Sequence, residues 1–171
     1  MFECHPCTSF RIEAIVVYVR DTSSIGNRTE VIVLAALVHA GYWPLLPFGE
    51  GRPYDIALDE DGKLIRVQCK TGRLMNGGVY FPTAMWCRDL SYRSYQGNVD
   101  YFGVYCPGTK KVYLVPIGDV PTRAALLRVE PPKNGQTWGI RWAKDYVIWP
   151  ESPRTTDALR LAPASISRSL D

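Results

Sequence analysis

The sequence predicts a mixed α/β fold, an α+β arrangement of one helix and a mixed sheet, on three observations. An apolar helical pattern begins at Asn27, one strand pair closes around Asp61-Gly62, and a second closes around Pro107-Gly108-Thr109. At 171 residues the chain fits one domain, long enough to bury roughly 70% of its unfolded surface. Its 46% hydrophobic and 22% charged residues exclude collagen-like, coiled-coil and wholly disordered classes. The longest apolar run, Val31 to Val38, is far short of the roughly 20 residues that span a bilayer, so no membrane partner is expected.

Residues 1–21 have two readings, an N-terminal extension or one extra strand at Ile12 to Val19. Cys4 and Cys7 flank His5 at C-x2-C spacing, but no second ligand pair follows, so a zinc knuckle is not expected. Five cysteines, an odd number, and the lack of a secretory pattern predict reduced thiols and a cytoplasmic location. The domain itself is expected over 22–149. Asn27 and Glu30 have capping-box spacing and Gly41 is suited to stop the helix, which is apolar on nearly every side and so expected to be buried all round. Pro44 and Pro47 bar its continuation.

Tyr54 to Leu58 and Lys63 to Lys70 read as a hairpin whose Asp-Gly suits a two-residue type I′ turn. In that register Asp55 lies across from Gln68; with a loop spanning Asp59 to Gly62 it lies across from Arg66. Because the side-chain period is two, either register puts Asp55, Gln68 and Lys70 on one face, with Ile65, Val67 and Cys69 on the core side. Gly78 to Phe81 is a further strand, and Met85 to Asn98 has no legible pattern. Val99 to Cys106 and Lys110 to Ile117 form the second hairpin, Asp119 and Pro121 open a helix through Leu127, and Trp138 to Trp149 adds a strand or helix. The polar, Pro/Ser/Arg-rich residues 150–171 read as a flexible tail.

A carboxylate at one strand end, with an amide and a lysine alternating on the next strand, suits divalent-metal hydrolysis of phosphodiesters. Asp55 offers oxygen to a hard cation such as Mg²⁺, with Mn²⁺ expected to substitute. Lys70 can orient or deprotonate the attacking water, Gln68 supplies an amide oxygen, the Cys69 carbonyl adds a ligand, and Glu30 is the natural second acid. Each has a plainer reading: Glu30 as a capping-box and helix-dipole residue, Asp55 as a turn acid, Gln68 and Lys70 as a solvated strand face.

The charge is uneven, net −4 over 21–60 and +8 over 61–144. Arg66, Arg73, Lys110, Lys111, Arg128, Lys133 and Arg141 are the candidate phosphate contacts of a nucleic-acid face. The aromatics Tyr80, Trp86, Tyr92, Tyr95, Tyr101, Trp138, Trp142 and Trp149 are read as core or interface residues ahead of base-stacking ones.

Pro53-Tyr54-Asp55, a spacer of twelve residues, and Gln68-Cys69-Lys70, with Glu30 on a preceding helix, resemble the PD-(D/E)xK nuclease superfamily. More narrowly, the chain is similar to group I intron-associated PD-(D/E)xK homing endonucleases in which Gln takes the usual acidic position. Val67 to Gly72, Val99 to Tyr105, Val112 to Pro116 and Asn134 to Ala143 extend the resemblance over about residues 24–148. It implies a restriction-endonuclease-like core of helix, antiparallel strands, helix and strand. It implies Glu30, Asp55, Gln68 and Lys70 as the active site, Mg²⁺-dependent cleavage of double-stranded DNA, and a homo-oligomer, dimer or tetramer. The competing readings are a Holliday-junction-resolving or repair nuclease, an RNase, and a non-catalytic DNA-binding module.

Overall fold

The computed structural model describes residues 22–49, 51–86, 91–132, 135–136 and 138–149. The strand expected at Ile12 to Val19, the Cys4/Cys7 pair, the tail from 150 and Lys133 lie outside the described residues. Helix α1 spans Thr22–His39. It starts five residues before Asn27, because nothing in Thr22 to Gly26 bars a helix and no proline intervenes. Asn27 and Glu30 are therefore interior positions rather than a capping box, and Glu30 lies beyond the first turn, where the helix dipole acts. The helix ends as expected: Gly41 has φ +87°, its N–H donates to Val38 O, and Tyr42 N–H donates to Leu37 O, a Schellman closure.

The strands are β1 (Pro44–Leu45), β2 (Ile56–Glu60), β3 (Lys63–Thr71), β4 (Arg73–Met75), β5 (Gly78–Pro82), β6 (Ala84–Trp86), β7 (Tyr92–Ser94), β8 (Tyr101–Cys106), β9 (Lys111–Pro116), β10 (Ala124–Arg128) and β11 (Val147–Trp149). A six-stranded sheet runs β1-β2-β3-β8-β9-β11, with a smaller sheet β10-β5-β4 and the pair β6-β7. The sheet is mixed, as expected: β3 and β8 pair in parallel, the other neighbours antiparallel, because the connection from β3 to β8 is long enough for a crossover.

α1 packs on one face of the large sheet, with Val33, Ala36 and Leu37 against Ile56, Ile65, Val67 and Cys69. Its burial is one-sided, contrary to expectation: Val31 is 64% and Val38 56% exposed, because a single sheet covers a single helix face. Gly103 permits the close approach, since a Cβ there would meet Val33 Cγ1 at 2.6 Å. On the opposite sheet face Phe102, Val104, Tyr113 and Val115 pack beneath Val79, Phe81, Ala125 and Leu127 of the small sheet. The helix expected over 119–127 is replaced by a 3₁₀ turn, Ile117–Asp119, and strand β10. Ala125 and Leu127 alternate inward with period two, and the free edge of β5 takes up the segment. The closing segment combines a 3₁₀ turn at Ala143–Tyr146 with β11. Among the described residues no helix is long and apolar enough to cross a membrane.

Candidate active site

The β2–β3 register decides between the two sequence readings. Glu60 pairs with Lys63 and the ladder continues to Ile56 opposite Val67, which sets Asp55 across from Gln68. Asp61 and Gly62 both have positive φ, 51° and 82°, as a two-residue type I′ turn requires. Asp55 N–H donates to Val67 O at 3.0 Å, so the backbone carrying the carboxylate is held by the ladder itself. Ile65, Val67 and Cys69 point into the helix-side core, and Gln68 and Lys70 lie half-buried on the other face.

Asp55 is the hub. Its Oδ2 accepts a 2.5 Å hydrogen bond from Gln68 Nε2 and a 2.8 Å bond from the Cys69 N–H. Gln68 Nε2 also donates to Cys69 O at 3.5 Å. Burial holds the Asp55 carboxyl above its usual value, although the Cys69 N–H, the Lys70 charge and the Gln68 amide pull the other way. Glu30, on α1, is likewise held above the ordinary carboxylate value, first by desolvation and then by the Asp55 charge. A 2.6 Å hydrogen bond between Thr29 Oγ1 and Thr71 Oγ1 fixes this part of α1 to the end of β3.

Lys70 Nζ donates to Tyr95 Oη at 2.8 Å and lies 4.6 Å from that ring's centroid. Burial lowers the lysine's affinity for its proton, while the charge of Asp55 works to restore it. Tyr95 is 4% exposed and stacks edge-on against Phe102, with 5.6 Å between centroids. The sequence reads it as a core or interface residue ahead of a base-stacking one and gives no sign of its contact with Lys70, because it lies in the stretch Met85 to Asn98 that shows no periodicity. The Cys69 thiol is buried, and burial with the Asp55 and Glu30 charges pushes its pKa far up. It faces the core, and only its backbone belongs to the site.

The basic residues divide. Arg66, expected on a nucleic-acid face, is committed elsewhere: it forks onto Asp100 at 3.1 and 3.0 Å and donates to Gly97 O at 2.9 Å. Arg73 is exposed on β4, and Lys110 and Lys111 mark the β8–β9 turn. Arg128 donates to Asn76 O, and the backbone N–H of Arg128 donates to Arg141 O at 2.7 Å. Asp55 and Gln68 are bonded to each other, Lys70 lies on the same strand face, and Glu30 on α1 feels the Asp55 charge.

The Arg66–Asp100 pair makes its own prediction. Burial opposes the Asp100 charge, but the Arg66 side-chain bonds, the Arg66 N–H and the Arg66 charge outweigh it and hold the carboxyl below its ordinary value. A depressed folded-state value adds stability that is present above the unfolded value, about 3.9, and lost as pH falls through the folded one. Because both side chains are about a third exposed (34% and 38%), solvent screening discounts the contribution. Asp100→Asn should cost roughly 1–2 kcal/mol at pH 7. In urea titrations the difference from wild type should shrink progressively as pH falls below the unfolded value; a gap that did not shrink with falling pH would remove the charge from the explanation.

Among the described residues no group of three His, Cys, Asp and Glu side chains is placed to hold a metal ion; the oxygens that Asp55, Gln68, the Cys69 carbonyl and, from α1, Glu30 could offer are the hard donors of this region. They suit a hard cation. Gln68 Nε2 is placed between Asp55 Oδ2 and Cys69 O, so a neutral N–H donor already bridges two of the oxygens expected to be ligands. The amide's two ends are nearly isosteric, and a half-turn presents Oε1 instead.

Helix, hairpin and parallel crossover together present Asp55, Gln68 and Lys70 on one sheet face, an arrangement that a nuclease core would use. A family model described as PD-(D/E)XK endonuclease matches residues 20–149, and the chain belongs to that family. Among solved structures it is similar to the bacterial homing endonuclease I-Ssp6803I, with TM-score 0.57 and 18% identity, over 74% of this chain and 88% of that one. That likeness supports the restriction-endonuclease-like fold expected from the sequence. No curated protein matches the chain.

Proposed function

We propose that this chain is a Mg²⁺-dependent endonuclease that hydrolyses phosphodiester bonds of double-stranded DNA in the manner of a homing endonuclease, with residues 22–149 as its catalytic domain. The observation that carries the reading is Asp55 bonded to Gln68 across the β2–β3 hairpin with Lys70 on the same strand face, and Glu30 of α1 held above its ordinary value in part by the Asp55 charge. Glu30, Asp55, the Gln68 amide oxygen and the Cys69 carbonyl would hold the cation, and Mn²⁺ would serve in place of Mg²⁺. When bound, the cation polarises the phosphate and favours ionisation of water. Lys70, aimed by Tyr95, orients the attacking water and opposes the negative charge that builds on the phosphate oxygens. Water oxygen joins phosphorus, one P–O ester bond breaks, and the departing oxygen takes a proton.

Supercoiled plasmid should become nicked and linear with Mg²⁺, and neither with EDTA nor with Asp55→Asn. Cutting by Asp55→Asn at the wild-type rate would overturn the site. Two strands call for two active sites, and we propose a homo-oligomer. Trp43, Leu46 and Phe48 stand 79%, 66% and 103% exposed, an apolar surface of the kind that marks protein interfaces. Light scattering should give at least a dimer in wild type and a smaller species for the triple substitution of these residues by serine; a monomeric wild type would refute the assembly.

A further inference from the structure

Outside the site just described, the end of the sheet where β9 begins and β10 ends holds a cleft of about 190 Å³. Lys111, Arg128 and Lys144 bring three cations to it, with Trp142, Thr109 and Tyr113 beside them. No acidic residue lines it, although Glu130 and Asp145 are sequence neighbours of lining residues. Among the described residues the ion pair present is Arg66–Asp100, so none of the three cations has a carboxylate at ion-pair distance. Tyr113, 1% exposed, donates its hydroxyl to Thr109 Oγ1 at 2.9 Å, which fixes the polar wall of the cleft.

Three cations around a small cavity attract an anion, and an arginine with two lysines is a donor set suited to phosphate oxygens, although Arg128 Nη1 also donates to Asn76 O. A cavity of about 150 Å³ accommodates benzene, so this cleft admits one phosphate with part of its sugar and not a base pair. The indole of Trp142 offers a face to the attached ring. We propose that the cleft binds one phosphate of a nucleic-acid strand, with its sugar or base against Trp142, at a point removed from the reacting phosphate. This rests on the endonuclease reading and deepens it. Lys70, Val104, Tyr113 and Val147 form one row across β3, β8, β9 and β11. Neighbouring strands are about 4.8 Å apart, so Tyr113 is about 10 Å from Lys70, about three phosphates at the roughly 3.4 Å axial rise of one strand.

The test is affinity for a labelled duplex against salt, without divalent cation, for wild type, Lys111→Gln/Lys144→Gln and the control Lys63→Gln. Loss of this one phosphate contact should lower the slope of log K on log salt by about 0.9 in the double variant, with no change in the control. Deoxyadenosine monophosphate separates two sources of the phosphate. With the slope lowered, failure of the nucleotide to compete with duplex for wild type assigns an internal strand phosphate, and competition lost in the double variant assigns a terminal one. An unchanged slope together with no nucleotide competition overturns the proposal. If wild type binds no duplex, the endonuclease reading is what fails. The cleft is then decided by quenching of tryptophan fluorescence by the nucleotide, which Trp142→Phe must diminish; no quenching rejects it.

Discussion

Replacement of Lys70 by methionine should lower single-turnover DNA cleavage by about 10²–10⁴-fold, the range for a positioned group that handles a proton or developing charge. Duplex affinity measured without divalent cation should stay within a few-fold, because one ammonium among many phosphate contacts is removed. Stability separates this from a folding effect. Lys70 is half-buried, with burial weakening its hold on a proton, and methionine fills a similar volume with no charge to desolvate. The variant should therefore melt at or above the wild-type temperature while failing to cut. Tyr95→Phe is a milder probe of the same group, since it keeps the ring below Nζ and removes the hydroxyl that accepts from it. Cleavage by Lys70→Met within tenfold of wild type would remove Lys70 from the chemistry.

That placement of Lys70 is also where the sequence was most legible. A turn dipeptide, Asp61-Gly62, fixes the register of one hairpin, and period two then carries Asp55, Gln68 and Lys70 to one side and Ile65, Val67 and Cys69 to the other. Local chemistry and burial agree there. They disagree at 119–127, where Asp119 and Pro121 are good helix-start residues, yet the edge of β5 offers a full ladder and turns the segment into β10. They also disagree at Glu30, whose spacing from Asn27 mimics a cap although the helix has already run from Thr22. Tertiary partners decide Arg66 and Tyr95. The acid that claims Arg66 is 34 residues away, and the lysine that Tyr95 meets is 25 residues away, separations no short pattern encodes.

Gln68 tests whether the oxygens around Asp55 are a cation site or a structural hydrogen-bond cluster. In the structure its amide N–H joins Asp55 Oδ2 and Cys69 O, so it stabilises the fold by giving both oxygens a donor. Gln68→Glu removes that donor and sets a second carboxylate against Asp55. Without divalent cation this should cost about 2–3 kcal/mol, from a lost charge-assisted bond plus like-charge repulsion. A hard divalent ion reverses the sign, because an added anionic ligand strengthens its site. Thermal melts should then show Gln68→Glu below wild type by about 4–12 °C in EDTA, at roughly 2–4 °C per kcal/mol for a chain of this size. They should also show a larger rise on adding Mg²⁺ for the variant than for wild type, as ligand linkage requires of a tighter site. A purely structural Gln68 predicts the first result without the second. Equal Mg²⁺ shifts in the two proteins would therefore leave Asp55 and Gln68 as a hydrogen-bonded pair and refute the assignment of a cation to them.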